Sequence, residues 1–222
     1  MQNTNSLFAL SIVLALLLSC NLALARFNWG KCPTNIKVMS GFDIHQYQGE
    51  WLEIARYRNP YECGVCQRAT YTIDQSDTSK IRVNNTEYKK GKLRYATGNA
   101  TQQEGEPAKW TVTFDNKHGK KNYKRTGSYW IIDTDYNNYA MVYSCNEGLY
   151  GLFHTQYAWI LGRKVDSISD QMMTDIFNKW KAQGVNTRYF KYAQQKYCEV
   201  KKPKEPKDKE DKVQKLARFR IN

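Results

Sequence analysis

Cys63-Gly-Val-Cys66 has the spacing of a zinc ligand pair or a redox dithiol, but the rest of either centre is missing. No second CxxC is present and the chain has only three histidines, so zinc is not expected. Glu53 and Glu87 are candidates to face each other across a sheet. Carboxylates in such a position more often anchor the polar end of a ligand than shuttle protons. No Ser-His-Asp arrangement is evident. No catalytic residue, metal or cofactor is therefore expected. The remaining chemistry is that of an exported chain. Asn84-Asn85-Thr86 and Asn99-Ala100-Thr101 are acceptor sequons, with Asn84 and Asn99 as the expected glycan sites.

Residues 1–25 support export. Leu7 to Leu18 is an uncharged aliphatic run and Ala23-Leu24-Ala25 a small-x-small cleavage site, so 1–25 is expected to be a signal peptide. The run is short for a bilayer span, and no second apolar run follows. Leu17-Leu18-Ser19-Cys20 fits a lipoprotein site poorly at its second position. After removal, Cys32, Cys63, Cys66, Cys145 and Cys198 remain. An oxidising compartment favours two disulfides and one odd thiol, and spacing alone does not say which is odd.

The formal charge is +13, unevenly spread. Residues 80–130 hold twelve Lys/Arg against four acids, and the tail after Cys198 holds nine basic and five acidic residues. Such surfaces attract anionic membranes, glycosaminoglycans or acidic receptors. Nucleic acid is not an expected partner, because the aromatics alternate along strands instead of forming a basic platform. Residues 199–222, with lysines and acids interleaved, have the composition of a disordered, solvated tail.

Between these ends lies one domain, 26–198. Short apolar-polar alternations separated by Gly, Asn and Asp turns predict eight strands: 50–57, 67–74, 80–88, 92–98, 108–115, 127–133, 138–145 and 155–163. Lys89-Lys90-Gly91 and the segment 134–138 read as tight connections, so consecutive antiparallel pairing is the simplest topology. One helix follows, capped by Ser169 and stopped at Gly184, with Met173, Ile176, Phe177 and Trp180 on one stripe that packs outside the sheet. A short extended piece, 187–192, is expected to return along the sheet.

Three separated motifs then make the chain resemble the lipocalins. Gly49-x-Trp51 opens the first strand, Thr134-Asp135-Tyr136 separates the sixth from the seventh, and Arg163 ends the eighth. Longer stretches are similar to the apolipoprotein D branch and its insect Lazarillo and bilin-binding relatives. They include Gly30-Lys-Cys-Pro33, Glu106-Pro-Ala-Lys109, Tyr129-Trp-Ile131 and Ala158-Trp-Ile-Leu161. The resemblance covers roughly Gly30 to Cys198 and excludes Cys63 and the tail.

The resemblance implies an all-β, eight-stranded up-and-down barrel. It also implies disulfides Cys32–Cys145 and Cys66–Cys198, with Cys63 left free near the mouth. Arg163 would lie across Trp51 at the closed end, and Tyr71 would touch ligand. With the eighth strand's inward side so assigned, Tyr157, Trp159 and Leu161 face the cavity, as do Val83, Asn85 and Glu87 on the third, while Asn84 points out. The expected pocket therefore has walls of Tyr71, Val83, Tyr157, Trp159 and Leu161 and polar groups Glu53, Asn85 and Glu87.

The function this implies is a secreted, extracellular carrier of a small hydrophobic ligand: a retinoid, fatty acid, sterol or bilin. Two alternatives stand beside it. One is a surface- or receptor-binding protein acting through the basic face and tail. The other is a lipocalin-type isomerase, for which no cysteine is left in the pocket. A monomer is expected, with Cys63 the group placed to crosslink a partner.

Overall fold

Alternating strands give a sheet one face that must be kept dry, and a sheet can dry that face by rolling around it. The computed structural model describes residues 26–118, 121–196 and 198 and has this form. The barrel strands are β2 (Gly49–Tyr57), β3 (Val65–Asp74), β4 (Asp77–Lys89), β5 (Lys92–Gln103), β6 (Glu106–His118), β7 (Lys121–Thr134), β8 (Tyr139–Gly148) and β9 (Phe153–Gly162). Neighbours pair antiparallel in chain order, and β9 returns to pair with β2, Leu52 opposite Gly162 and Arg56 opposite Trp159. The eight expected strands are these eight. The expected leader, 1–25, and basic tail, 199–222, lie outside the described residues.

Two strands extend the sheet. The expected return of 187–192 is β10 (Phe190–Tyr192), paired with β2. The other, β1 (Arg26–Trp29), pairs with β9 and was not anticipated, since four residues beside the leader boundary carry too little pattern. Strands β4 to β7 also outrun their expected ends. The added ends carry little apolar-polar alternation but still pair, with Lys117 opposite Asn122 and Lys89 opposite Lys92. Lys90 and Gly91 both take positive φ, 52° and 72°, which is the twist a two-residue hairpin needs.

A one-turn helix, α1 (Ile44–Tyr47), crosses the closed end, with Asp43 accepting from the His45 amide at 2.8 Å. Four residues are too short for helical periodicity, and no helix is expected there from the residues alone. Tyr47 is fully buried, its ring 5.0 Å from Trp51. Arg163 then ties this end together. Its guanidinium lies 3.8 Å from the Trp51 ring and donates to the carbonyls of Tyr136, Glu50, Gln46 and Tyr47 at 2.8–3.3 Å. Tyr136 sits at φ 64° because Asp135 accepts from the amides of Asn137, Asn138 and Tyr139 and folds the turn.

The second helix, α2 (Asp170–Ala182), packs outside as expected. Ser169 caps it, accepting from the Met172 amide. Ile176 and Trp180 are buried against Met141, Tyr143, Ala158 and Ile160 on the outer face of β8 and β9. Gly184, at φ 78°, ends it. Cys32 is joined to Cys145 and Cys66 to Cys198, and Cys63 is free and exposed. Each bridge closes a loop of more than a hundred residues, worth about 4–5 kcal/mol in the chain-entropy picture.

Arg163→Lys keeps the charge but loses the planar fork that serves four carbonyls. It should lower the unfolding free energy by about 2–4 kcal/mol, read as a shift in urea midpoint at unchanged slope. An unshifted midpoint would show that the contacts at the closed end are dispensable.

Candidate ligand-binding site

The interior has two unlike halves. The closed half is solid. Phe42, Tyr47, Tyr71 and Tyr129 all pack against Trp110, at centroid distances of 5.4–5.7 Å. Tyr71, Val83 and Leu161, three of the expected ligand contacts, sit in this packed half at 3%, 3% and 5% exposure. Trp110 and Tyr129 were missed by the sequence reading. The signal was present in the alternation of Trp110, Val112 and Phe114 along β6, paired with Tyr129, Gly127 and Arg125 along β7.

In the open half small inward residues stand among larger ones, with Phe114 packed beside Gly98. Register carries the inward face from Ala69 to Asn85 to Ala96, from Val83 to Gly98, and from Val112 to Gly127. Trp159 and Tyr157 complete the wall from β9, stacked on each other at 5.9 Å. A methyl group added at Gly127 would meet only the Asn146 amide, at 3.7–3.9 Å. The Asn85 Oδ1 is buried with no partner among the described residues. Of the sequon residues, Asn99 is exposed on the outer face and Asn84 is half-buried.

Three phenols make the boundary between the halves. The Tyr129 hydroxyl lies 2.9 Å from that of Tyr47 and 2.6 Å from that of Tyr71. Burial pushes all three phenols above their ordinary range, so they stay neutral. Three hydroxyls bring three protons to two contacts. One O–H is therefore left to donate outside the cluster, at mid-depth in the barrel.

The mouth is crossed by the loop 58–64, held by charge. Arg56 bonds the Glu53 carboxylate and, at 2.5 Å, the Glu62 carbonyl. The Glu62 carboxylate accepts from the Trp159 indole at 3.0 Å and from Asn59. Glu87 accepts from the Gly64 amide at 2.7 Å. Tyr61 lies under the Arg125 guanidinium at 4.0 Å and faces Tyr157. Of the two expected ligand anchors, Glu87 fastens the loop, and Glu53 is paired with the Arg56 that holds Glu62. Strict alternation would have turned Ala55 inward; a bulge between Glu53 and Ala55 brings Arg56 in instead. Burial, and then the nearby Glu62, raises the Glu53 carboxyl well above its ordinary value against the pull of Arg56.

The CxxC spacing does not form a dithiol, because Cys66 is bonded to Cys198. Among the described residues no cluster of three His, Cys, Asp or Glu could hold a metal ion, and no helix is long and apolar enough to cross a membrane.

Residues 42–195 match the family model of the lipocalin-like domain. Apolipoprotein D of Oryctolagus cuniculus is 40% identical over 139 residues, covering 62% of this chain and 68% of the relative. Insecticyanin-B of Manduca sexta is 33% identical over 139 residues, covering 60% of this chain and 64% of the relative. Among solved structures, insecticyanin from Manduca sexta superposes with a TM-score of 0.63 at 26% identity, covering 77% of this chain and 89% of its own. Lobster apocrustacyanin A1 superposes with a TM-score of 0.57 at 26% identity, covering 69% and 79%.

The unfolded chain holds the Glu53 proton with an ordinary value of 4.5, and the folded chain holds it more tightly. Protonation of Glu53 therefore favours the fold. This contribution is complete below about pH 4.5 and is lost as the pH rises through the folded value. Glu53→Gln removes the titration, so its thermal midpoint should fall less steeply than the wild type's as the pH rises above 4.5. Equal slopes would remove Glu53 as the cause.

Proposed function

We propose a carrier function for this chain, which belongs to the lipocalin family: it sequesters and delivers a small hydrophobic molecule in the open half of the barrel, without chemistry. The observation that supports this most directly is the contrast inside the barrel. Ala69, Ala96 and Gly127 lie above a floor of three hydrogen-bonded tyrosines.

The unshared phenolic proton suits a ligand whose apolar body ends in an oxygen acceptor, a carbonyl or a carboxylate, inserted polar end first. The unpartnered Asn85 Oδ1 suits a donor on its flank. Retinoids, fatty acids, oxo-sterols and bilins all present such ends. Burying about 300 Å² of ligand is worth roughly 7 kcal/mol before association costs, consistent with micromolar to sub-micromolar binding. Loop 58–64 acts as the lid, because Trp159 shares its indole N–H with Glu62 on that loop.

The setting of this function is extracellular. Two disulfides, the leader-like residues 1–25 and the exposed sequon at Asn99 all support export, with a glycan at Asn99. The carrier reading assigns no catalytic role to Cys63, which is exposed on the lid rather than facing the pocket.

Titration with retinoic acid should quench tryptophan emission saturably. Tyr129→Phe removes the middle hydroxyl and should weaken binding by about fivefold to tenfold, one hydrogen bond's worth. Gly127→Leu should fill the open half and abolish binding while the circular dichroism spectrum stays native. Full affinity in Gly127→Leu would place the ligand elsewhere.

A further inference from the structure

The open end of the barrel gathers large apolar side chains in the solvent. Trp29, Leu149, Tyr150 and Leu152 are 76%, 67%, 105% and 57% exposed, and Phe27 beside them stacks on Phe153 at 4.8 Å. Register places Trp29 opposite Phe153 and Phe27 opposite Thr155, on the side of β9 that also carries Tyr157 and Trp159. The group therefore borders the cavity mouth. Single exposed hydrophobes are ordinary, but a contiguous group on a rim marks a contact surface.

The group is built rigidly. Leu149 and Tyr150 hold φ of 44° and 56°, which L side chains rarely adopt, in the turn between β8 and β9. That turn is tied to β1 by Gly30 donating to the Leu152 carbonyl at 2.8 Å, and below it Cys32 is bonded to Cys145. Glu147 accepts from the Cys32 amide at 2.8 Å. Two bulky side chains are thus held in an unfavourable backbone conformation and presented to solvent.

Charge supplies the second observation. The other hairpins of the open end are basic: Lys89, Lys90 and Lys92 at the β4–β5 turn, and Lys124 and Arg125 on β7. Of the acids at this end, Glu87 and Glu147 accept from backbone amides, and Asp115 stands opposite Lys124 across β6 and β7. The closed end carries Asp74, Asp77, Glu104, Asp135 and Asp166 in or beside its turns. Asp77 there is pulled down to about 2 by Ser79 and Lys80. Closed-end acids are matched by bases, Asp77 with Lys80, Asp74 with Arg82 and Glu106 with Lys109, whereas the open end joins its apolar group to the basic hairpins.

We propose that the open end is a docking surface for an anionic phospholipid bilayer. Trp29, Leu149, Tyr150 and Leu152 enter the headgroup–acyl boundary, and the lysines of the neighbouring hairpins meet lipid phosphates. Docked this way, the mouth faces the membrane. Passage of a lipophile between the two rests on the carrier reading; the docking does not, so Gly127→Leu should still dock.

The test uses the full chain, sedimented with vesicles of phosphatidylcholine alone or mixed with phosphatidylserine. Binding is expected to the mixed vesicles, with a blue shift of emission that Trp29→Phe reduces. Lys92→Glu with Lys124→Glu should lower the bound ratio by about fivefold or more. Leu149→Asn with Tyr150→Asn should lower it comparably, since Asn tolerates the same backbone while removing the apolar groups. The charge pair stands on exposed strand positions, so it carries the test even if the turn variant folds poorly. Three results would overturn the proposal. One is no sedimentation with either vesicle. Another is loss of binding only on truncation after Cys198, with both double variants unchanged. The third is a dimer that Leu149→Asn with Tyr150→Asn dissolves and vesicles leave unaffected.

Discussion

The return of β9 to β2 is the constraint on which everything else depends. Closure removes both edges of the eight-stranded sheet and encloses an apolar face that no second layer covers from within. The seam is made by few residues, because Leu52 to Arg56 meet Trp159 to Gly162 over a short stretch with a bulge in it. Arg163 reinforces it at the closed end. A guanidinium withdrawn from water must find acceptors, and here it finds four carbonyls from three segments and the face of Trp51. The segments that hold it are thereby held by it.

A barrel of eight strands has just enough interior to be filled by side chains or to admit one small guest. This chain fills its closed half, and the carrier reading assigns the other half to a guest. Trp51, Trp110 and Tyr47 fill the closed half completely. Above them three inward positions, Ala69, Ala96 and Gly127, are small. The dense half provides the packing that stabilises the barrel, leaving the other half free of that duty. Polar groups inside are either paired, as Arg56 is with Glu53 and Glu62, or gathered into the tyrosine cluster. Charge in the mouth thus fastens a loop, and the tyrosine hydroxyls mark the boundary between the halves.

Outside the barrel the same economy holds. The helix α2 covers the outer faces of β8 and β9, so Trp180 and Ile176 make a second core against residues whose neighbours face inward. The two disulfides fasten the N-terminal segment and the C-terminal arm to the barrel wall. What the helix and arms leave uncovered is the rim, where aromatic and basic residues collect. The carrier reading and the docking surface meet there.

Much of this was legible in the residues. The strand count followed from alternation, and the outer helix followed from Ser169, the Met173–Trp180 stripe and Gly184. The closed-end pair of Trp51 and Arg163 and both disulfide pairings followed from family resemblance. These depend on local period or on motifs that tolerate little change. Other features were not legible. The bulge that turns Arg56 inward to Glu53, the one-turn helix over the floor, and the pairing of Glu87 with the loop all depend on which strands become neighbours. Alternation says that a residue faces in; it does not say at what depth, or what stands across from it. Tyr71 and Trp159 read alike in the sequence, yet one is packed in the solid half and the other lines the open half. That difference is set by register and shear around a closed sheet, a property of all eight strands together that no single stretch of chain encodes.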